Sequence, residues 1–196
     1  MKNKILIILV FFFSLTSMGV YSKNLEFKAL EIQTFEEGNI IIGVGEAEAI
    51  IKDEIEIYAD KFDYNKEKGL LIATGNVTAI DKINNTTLKS QVVHYLDLEK
   101  KIISYGITNI NVDEKYQIKT KDLYYFYNED LVFSENPTNV RDKFKNNITL
   151  MKFKYSLKEE ILKGSEIELF DYEKNRYLLN NGIIKLKENL MLGKDI

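Results

Sequence analysis

The sequence predicts an all-β fold, elongated and made of two facing antiparallel sheets assembled from units of about 30 residues. Three observations predict it. First, Tyr64, Tyr95, Tyr125 and Tyr155 recur 31, 30 and 30 positions apart, and Gly75, Gly106 and Asn136 each follow a tyrosine by eleven positions. Second, apolar residues alternate with polar ones at period two, as in Glu54–Ala59 and Ala73–Ala79, where a helical array would space them by three and four. Third, 12 Tyr and 11 Phe, with abundant Ile and Val, favour strands.

The elements follow in order. Residues 1–22 carry Lys2 and Lys4, then the run "ILIILVFFF", then small residues near Val20 and Ser22. That is the plan of a secretory signal, with cleavage expected after Ser22, and the apolar run is shorter than the ~20 residues of a spanning helix. Residues 23–196 form the β domain. Its front, "IQTFEEGNIIIGVGEAEA", places Phe35 in the tyrosine slot and Gly45 in the glycine slot. The next three units run strand, charged turn, strand, with "NKEKG", "DLEKK" and "YNED" as the turns. Small residues, Ala59, Ser90 and Thr120, stand five positions before the first three tyrosines. A fourth unit keeps Tyr155 but has Leu150 in the small position, and a shorter echo ends the chain with Tyr172 and Gly182. Pro137, the single proline, falls between the strands of the third unit.

Composition removes several function classes. The chain has 27 basic and 30 acidic residues, dispersed, so no basic field calls for nucleic acid. Without cysteine there is no disulfide, and an exported fold must be held by packing and backbone pairing. His94, the only histidine, lies on the strand face opposite Val93 and Tyr95 and reads as solvent-facing. No cluster has metal-ligand spacing, and no cofactor is expected. Asp60 with Asp63, and Glu159 with Glu160, read as alternating surface charge and not as acid/base pairs. "GVGEAEA" lacks the third glycine and the helix of a phosphate loop. The chain is therefore not expected to be an enzyme.

The plan A-D-x-[FVI]-x-Y-[ND]-x5-[IL]-x-A-x-G-[ND]-V, met as "ADKFDYNKEKGLLIATGNV", resembles the OstA/LptA-like repeat of the lipopolysaccharide transport system. Residues 54–81 match it closely, 86–112 well and 117–140 loosely. The signal segment and the front motif look most like the N-terminal domain of an LptD-type assembly protein, which makes this the N-terminal part of a longer chain. A free-standing LptA- or LptC-type bridge component is the alternative. The resemblance implies an open β-jellyroll, shaped like a folded taco, in the periplasm and associated with the outer membrane. It implies lipopolysaccharide as cargo, its lipid A acyl chains in an apolar groove. The implied partners are a like-fold bridge protein of LptA type, paired strand edge to strand edge, and an outer-membrane lipoprotein if the chain is an LptD.

The alternation selects the groove candidates. One face of each strand reads as Ile, Val, Ala, Phe and Tyr, the other as Lys, Glu, Asp and Asn. The first unit supplies Ile55, Ile57, Ala59, Phe62 and Tyr64, then Leu71, Ala73, Val77 and Ala79. The second supplies Leu88, Ser90, Val93, Tyr95 and Ile102, and the third Ile118, Thr120 and Tyr125. Small residues at Ala59, Ala73, Ser90, Ser104 and Thr120 are expected to keep the slot from being filled by the protein's own side chains. Leu25, Phe27, Ala29 and Ile32 are the candidates for edge docking. Two other readings compete: a closed core that binds nothing, and an exported structural or adhesive β-repeat module without lipid cargo. A carbohydrate-processing β-solenoid would need shorter rungs and stacked Asp or Arg, which the sequence lacks.

Overall fold

The computed structural model describes residues 25–52, 54–188 and 190–194; the expected signal, residues 1–22, lies outside them. Apart from two short 3-10 turns, Glu36–Gly38 and Leu186–Glu188, its regular structure is strand. The strands are β1 (Leu25–Lys28), β2 (Glu31–Phe35), β3 (Ile40–Ile51), β4 (Ile55–Asn65), β5 (Leu70–Asp81), β6 (Thr86–Leu96) and β7 (Lys101–Val112). They continue as β8 (Tyr116–Phe126), β9 (Leu131–Ser134), β10 (Thr138–Asp142), β11 (Asn147–Ser156), β12 (Ile161–Phe170), β13 (Arg176–Lys185) and β14 (Leu190–Lys194).

All belong to one antiparallel sheet: β1 and β2 both pair β3, β3 to β8 pair in chain order, β9 and β10 both bridge β8 and β11, and β11 to β14 again pair in order. The two facing layers expected from the sequence are the two halves of this sheet. The long strands β3 to β8, β11 and β12 each carry an irregularity near the middle, and these bulges align into a crease. Between Tyr58 and Lys61 of β4, and between Thr74 and Val77 of β5, the register slips. The same slip recurs between Lys89 and Val92 and between Ser104 and Ile107. An extra residue in one strand of a pair forces a local bend and stronger twist.

The crease is written in the burial pattern. In β4, Ile55, Ile57 and Ala59 are buried, and then Phe62 and Tyr64, so the inward parity switches across Asp60–Lys61. The same switch occurs in β6 between Ser90 and Val93 and in β8 between Thr120 and Leu123. The result is two walls. Wall A holds the first halves of β4, β6, β8 and β11 with the second halves of β3, β5 and β7, plus β1 and β10. Wall B holds the complementary halves, plus β2 and β9. Glu135–Pro137 interrupts the chain at the crease between β9 and β10, where proline's missing N–H costs no ladder bond.

Glycine earns its place at the crease. Gly75 (φ +78) packs so tightly that an added Cβ would lie 2.2 Å from an Asp60 carboxylate oxygen. Asn76 (φ 46) completes the bulge and donates its side-chain amide to the same carboxylate at 2.9 Å. In the next unit Asp122 accepts the Gly106 N–H at 2.7 Å. Asp60, weighed from sequence as surface charge, thus closes a bulge.

The outer margins of the walls are the hairpin turns, tied to one another by backbone bonds. On wall A, Lys82 N–H donates to Glu54, Asp113 to Asn85 and Lys143 to Lys115, each at 2.9 Å. On wall B, Asp97 donates to Gly69 at 2.8 Å and Leu157 to Asp130 at 2.8 Å. Each turn of a wall is hydrogen-bonded to the next, which fixes the unit spacing.

Candidate functional site

The region between the walls is a single apolar cluster. Every groove candidate is buried there: Ile55, Ile57 and Ala59, Phe62 and Tyr64, and Leu71, Ala73, Val77 and Ala79 in the first unit; Leu88, Val93, Tyr95 and Ile102 in the second; Ile118 and Tyr125 in the third, with the polar Ser90 and Thr120 beside the cluster. Ile57, Leu71, Ala73 and Val93 are at 0% exposure. Burying each large one contributes about 1.5–3 kcal/mol, so the cluster holds the fold together as well as lining its interior.

The expectation that small residues hold a free slot open is not met in this arrangement. The sheet does not close on itself, since β1 pairs only β3 and β14 only β13 among the described strands. Yet the walls touch, and the cavity lined by Ile55, Ala79 and Leu88 on wall A and Ile102, Leu123 and Tyr125 on wall B measures about 20 Å³, room for a water and no acyl chain. A second, more open pocket of about 220 Å³ lies at the margin, between Val112 and Tyr116 of wall A and Tyr155 and Leu157 of wall B. The physical reason is that each wall is the best available cover for the apolar face of the other.

The small residues act at the crease. Ala47, Ala59 and Ala73 let the walls approach in the first unit. Later units replace them with hydroxyls that bond one another out of water. Ser104 Oγ lies 2.6 Å from Thr108 Oγ1, Thr120 Oγ1 lies 2.8 Å from Thr138 Oγ1, and it also donates to Ser134 at 3.1 Å. Ser90 donates to the Tyr105 carbonyl at 3.1 Å. No buried side-chain oxygen or nitrogen is left without a partner among the described residues. Sequence reasoning named Ser90, Ser104 and Thr120 as spacers; that they belong to a buried hydroxyl column of two bonded groups, one joined by Thr108 and one by Thr120, was hidden because, Ser104–Thr108 apart, the partners lie 14 to 18 positions away.

At the margin opposite the crease the walls are laced by polar contacts the sequence did not suggest. The Tyr125 hydroxyl on wall B donates to the Asp81 carboxylate on wall A. Asn84 donates its backbone N–H to Asp81 at 3.0 Å, and its amide reaches Asp81 at 2.9 Å, Tyr125 Oη at 3.0 Å and Asp130 at 3.4 Å. Burial, reinforced by the Asp81 hydrogen bond, pushes the Tyr125 hydroxyl well above its ordinary titration range. On wall B, burial, with hydrogen bonds to Tyr127 and Asp97, does the same for Tyr95. Burial works to raise Asp97, but its bonds from Lys100 and Tyr95 outweigh that and lower it.

The two outer faces differ, and here the reading of one apolar and one charged face per strand is corrected. Wall A presents mostly polar side chains, with Ile50, Tyr58, Ile80 and Phe170 among them. Wall B presents Leu70, Leu96 and Phe126 in one cross-strand row and Ile72, Ile103, Tyr124 and Phe133 in the next. Tyr124 stacks on Phe133 at 4.9 Å, which shields both rings from water. His94 lies in this face with its ring 4.6 Å from that of Tyr105, and burial lowers its pKa. It faces outward, as its strand position suggested.

Of the edge candidates, Leu25, Phe27 and Ala29 turn inward against the core, Phe27 lying 5.0 Å from Tyr64, whereas Ile32 is exposed. What the N-terminal edge offers is therefore the backbone of β1 and β2, each paired on one side only among the described strands. No group of three or more His, Asp or Glu could hold a metal among the described residues, and no helix there is long and apolar enough to cross a membrane.

No protein-family model matches the chain, and no curated protein matches it. Among solved structures it is similar to that of LptH, the LptA homologous periplasmic component of the conserved lipopolysaccharide transport device from Pseudomonas aeruginosa. The two share 7% identity at a TM-score of 0.44, over 72% of this chain and 81% of that one. A likeness of that size carries no functional argument.

Proposed function

We propose that the chain is an exported, periplasmic carrier of lipopolysaccharide that takes the lipid A acyl chains between walls A and B. The observation that carries this reading is the build of the interior. It is lined by apolar side chains from two walls that are continuous only along one crease, and on the far side they are laced by the contacts around Tyr125, Asp81 and Asn84. Separating those contacts lets the walls part about the crease, and a saturated tail that enters gains ~0.8 kcal/mol per methylene buried. The OstA/LptA-like repeat of residues 54–140 supports the same assignment. The unpaired edges suit docking with a like-fold partner by strand addition, the N-terminal one through the backbone of β1 and β2.

Within that reading, the front motif favours the N-terminal domain of an LptD-type assembly protein at the outer membrane, with an outer-membrane lipoprotein as a further partner. A free-standing LptA- or LptC-type bridge is the alternative. A different class, a structural or adhesive β-repeat module without cargo, is favoured by one observation: the interior cavity of about 20 Å³.

Photocrosslinking separates them. A photoreactive residue at Ile57 or Tyr64, both inward, should give a lipopolysaccharide adduct, while the same residue at the outward Lys154 or Lys163 should not. No adduct at any inward position sinks the carrier reading and leaves the structural module.

A further inference from the structure

The outer face of wall A carries two adjacent rows of polar side chains. One cross-strand row runs Lys89, Asn109, Lys119, Asn139 and Thr149. The row beside it runs Thr87, Asn111, Gln117, Arg141 and Asn147. Between them lies a shallow depression of about 550 Å³. Most of these side chains are exposed, as outward positions of a half-buried sheet must be.

Their charge is what sets them apart. Many charges elsewhere are paired with the opposite sign, as in Lys61 with Asp63 at 2.9 Å or Lys101 with Glu99 at 2.5 Å, although Lys154 and Lys163 stand side by side on wall B. These two rows contain three cations and no carboxylate. The nearest carboxylates along them are Glu56, which Lys82 holds at 2.5 Å, and Glu168, which Arg176 holds at 2.6 Å. Lys89, Lys119 and Arg141 have no ion-pair partner among the described residues. A chain with formal charge −3 has thus gathered unpaired positive charge on one flat face. Position in the sheet does not dictate this: the matching rows of wall B set Lys101, Lys154 and Lys163 among Leu70, Leu96, Ile103, Tyr124, Phe126 and Phe133.

The ligand follows from the chemistry. Exposed amides of Asn109, Asn111 and Gln117 offer a donor and an acceptor side by side, which suits vicinal hydroxyls. Lys89 and Lys119 rise two strands apart, ~10 Å at the usual strand spacing, so they meet anionic groups that recur along an extended chain. Nucleic acid fits less well, since the stacked aromatic residues lie on wall B, and Tyr58 and Phe170, on wall A, stand beyond the ends of the two rows. We propose that the outer face of wall A is a binding site for an anionic oligosaccharide, a sugar chain bearing carboxylate or phosphate groups. This does not rest on the acyl-carrier reading: such a chain needs no access to the interior.

The test uses the protein purified from an exporting host, with a galacturonate hexamer as probe and maltohexaose as its neutral counterpart. The hexamer should shift the amide resonances of Lys89, Asn109, Lys119 and Asn139 saturably, and maltohexaose should bind at least tenfold more weakly. The triple variant Lys89→Gln, Lys119→Gln, Arg141→Gln should lose at least tenfold in affinity with its melting temperature unchanged. Removing the same charge from wall B by Lys61→Gln, Lys154→Gln, Lys163→Gln should leave binding as it was. Equal loss in both triples, shifts confined to other faces, or no saturable binding overturns the proposal. So does tighter binding of hexaglutamate or of a single-stranded hexanucleotide. None of these probes carries an acyl chain, so failure here leaves crosslinking at Ile57 and Tyr64 to stand or fall by itself.

Discussion

Tyr125 and Asp81, 44 positions apart, join the two walls through a hydrogen bond from the phenol to the carboxylate, at the margin farthest from the crease. Tyr125→Phe keeps the ring's packing and removes only that bond. Asp81 retains its two bonds from Asn84, so the loss should be about 1–2 kcal/mol, seen as a lower urea midpoint with an unchanged slope. If the walls part here to admit an acyl chain, the same variant should take up a fluorescent fatty acid faster than the parent protein. An unchanged uptake rate with the expected loss of stability would mean that the Tyr125 contact is no gate.

Alkaline stability carries a second expectation. Tyr95, Tyr125 and Tyr155 are all raised above the ordinary tyrosine value of 10.0, in each case first by burial. The folded chain therefore holds protons that the unfolded chain releases. Their contribution is complete below pH 10 and is lost progressively as pH rises beyond it. Tyrosinate absorbance from these side chains should appear with unfolding and not as an independent titration near pH 10.

Gly75→Ala and Gly106→Ala form a matched pair. Both positions have positive φ, +78 and +81, so both pay for an alanine in backbone strain, roughly 1 kcal/mol. Only at Gly75 does the new Cβ meet the Asp60 carboxylate, at 2.2 Å; at Gly106 nothing lies within 4 Å. Gly75→Ala should therefore be the more destabilising by about 1 kcal/mol or more, read from the difference in melting temperature. Equal losses would mean that Asp60 is free to move away.

Thr120→Val tests the buried hydroxyl column. The substitution keeps the shape and removes the group that bonds Ser134 and Thr138. Ser134 keeps its bond to the Lys121 carbonyl and Thr138 its bond to the Asn136 carbonyl, so about 1–2 kcal/mol is expected, measured by chemical denaturation.

Much of this architecture was legible because its signals are local. Tyr64, Tyr95 and Tyr125 marked the period, and Gly75 marked a backbone that only a permissive residue takes easily. The inward set could be read too, although Ala59 and Phe62 break a strict alternation; the three-residue step between them is the crease itself. What stayed hidden depends on which unit faces which. Tyr125 of the third unit reaches Asp81 at the end of the first, and Tyr116 lies against Tyr155 of the fourth, an offset between walls that no spacing in the chain encodes. Phe126 and Phe133, which no sequence pattern singled out, cover one another on the outside of wall B at 5.9 Å. The filled interior was not legible either, because small residues serve equally to leave space or to let surfaces meet.

Each strand from β3 to β8 crosses the crease and so contributes to both walls. Copying one such repeat in the gene would add ~10 Å along the body and leave its cross-section alone. A bulkier guest would demand longer strands on both sides of every bend at once, a coordinated change that single duplications cannot deliver. Evolution can stretch this molecule readily; it cannot readily widen it.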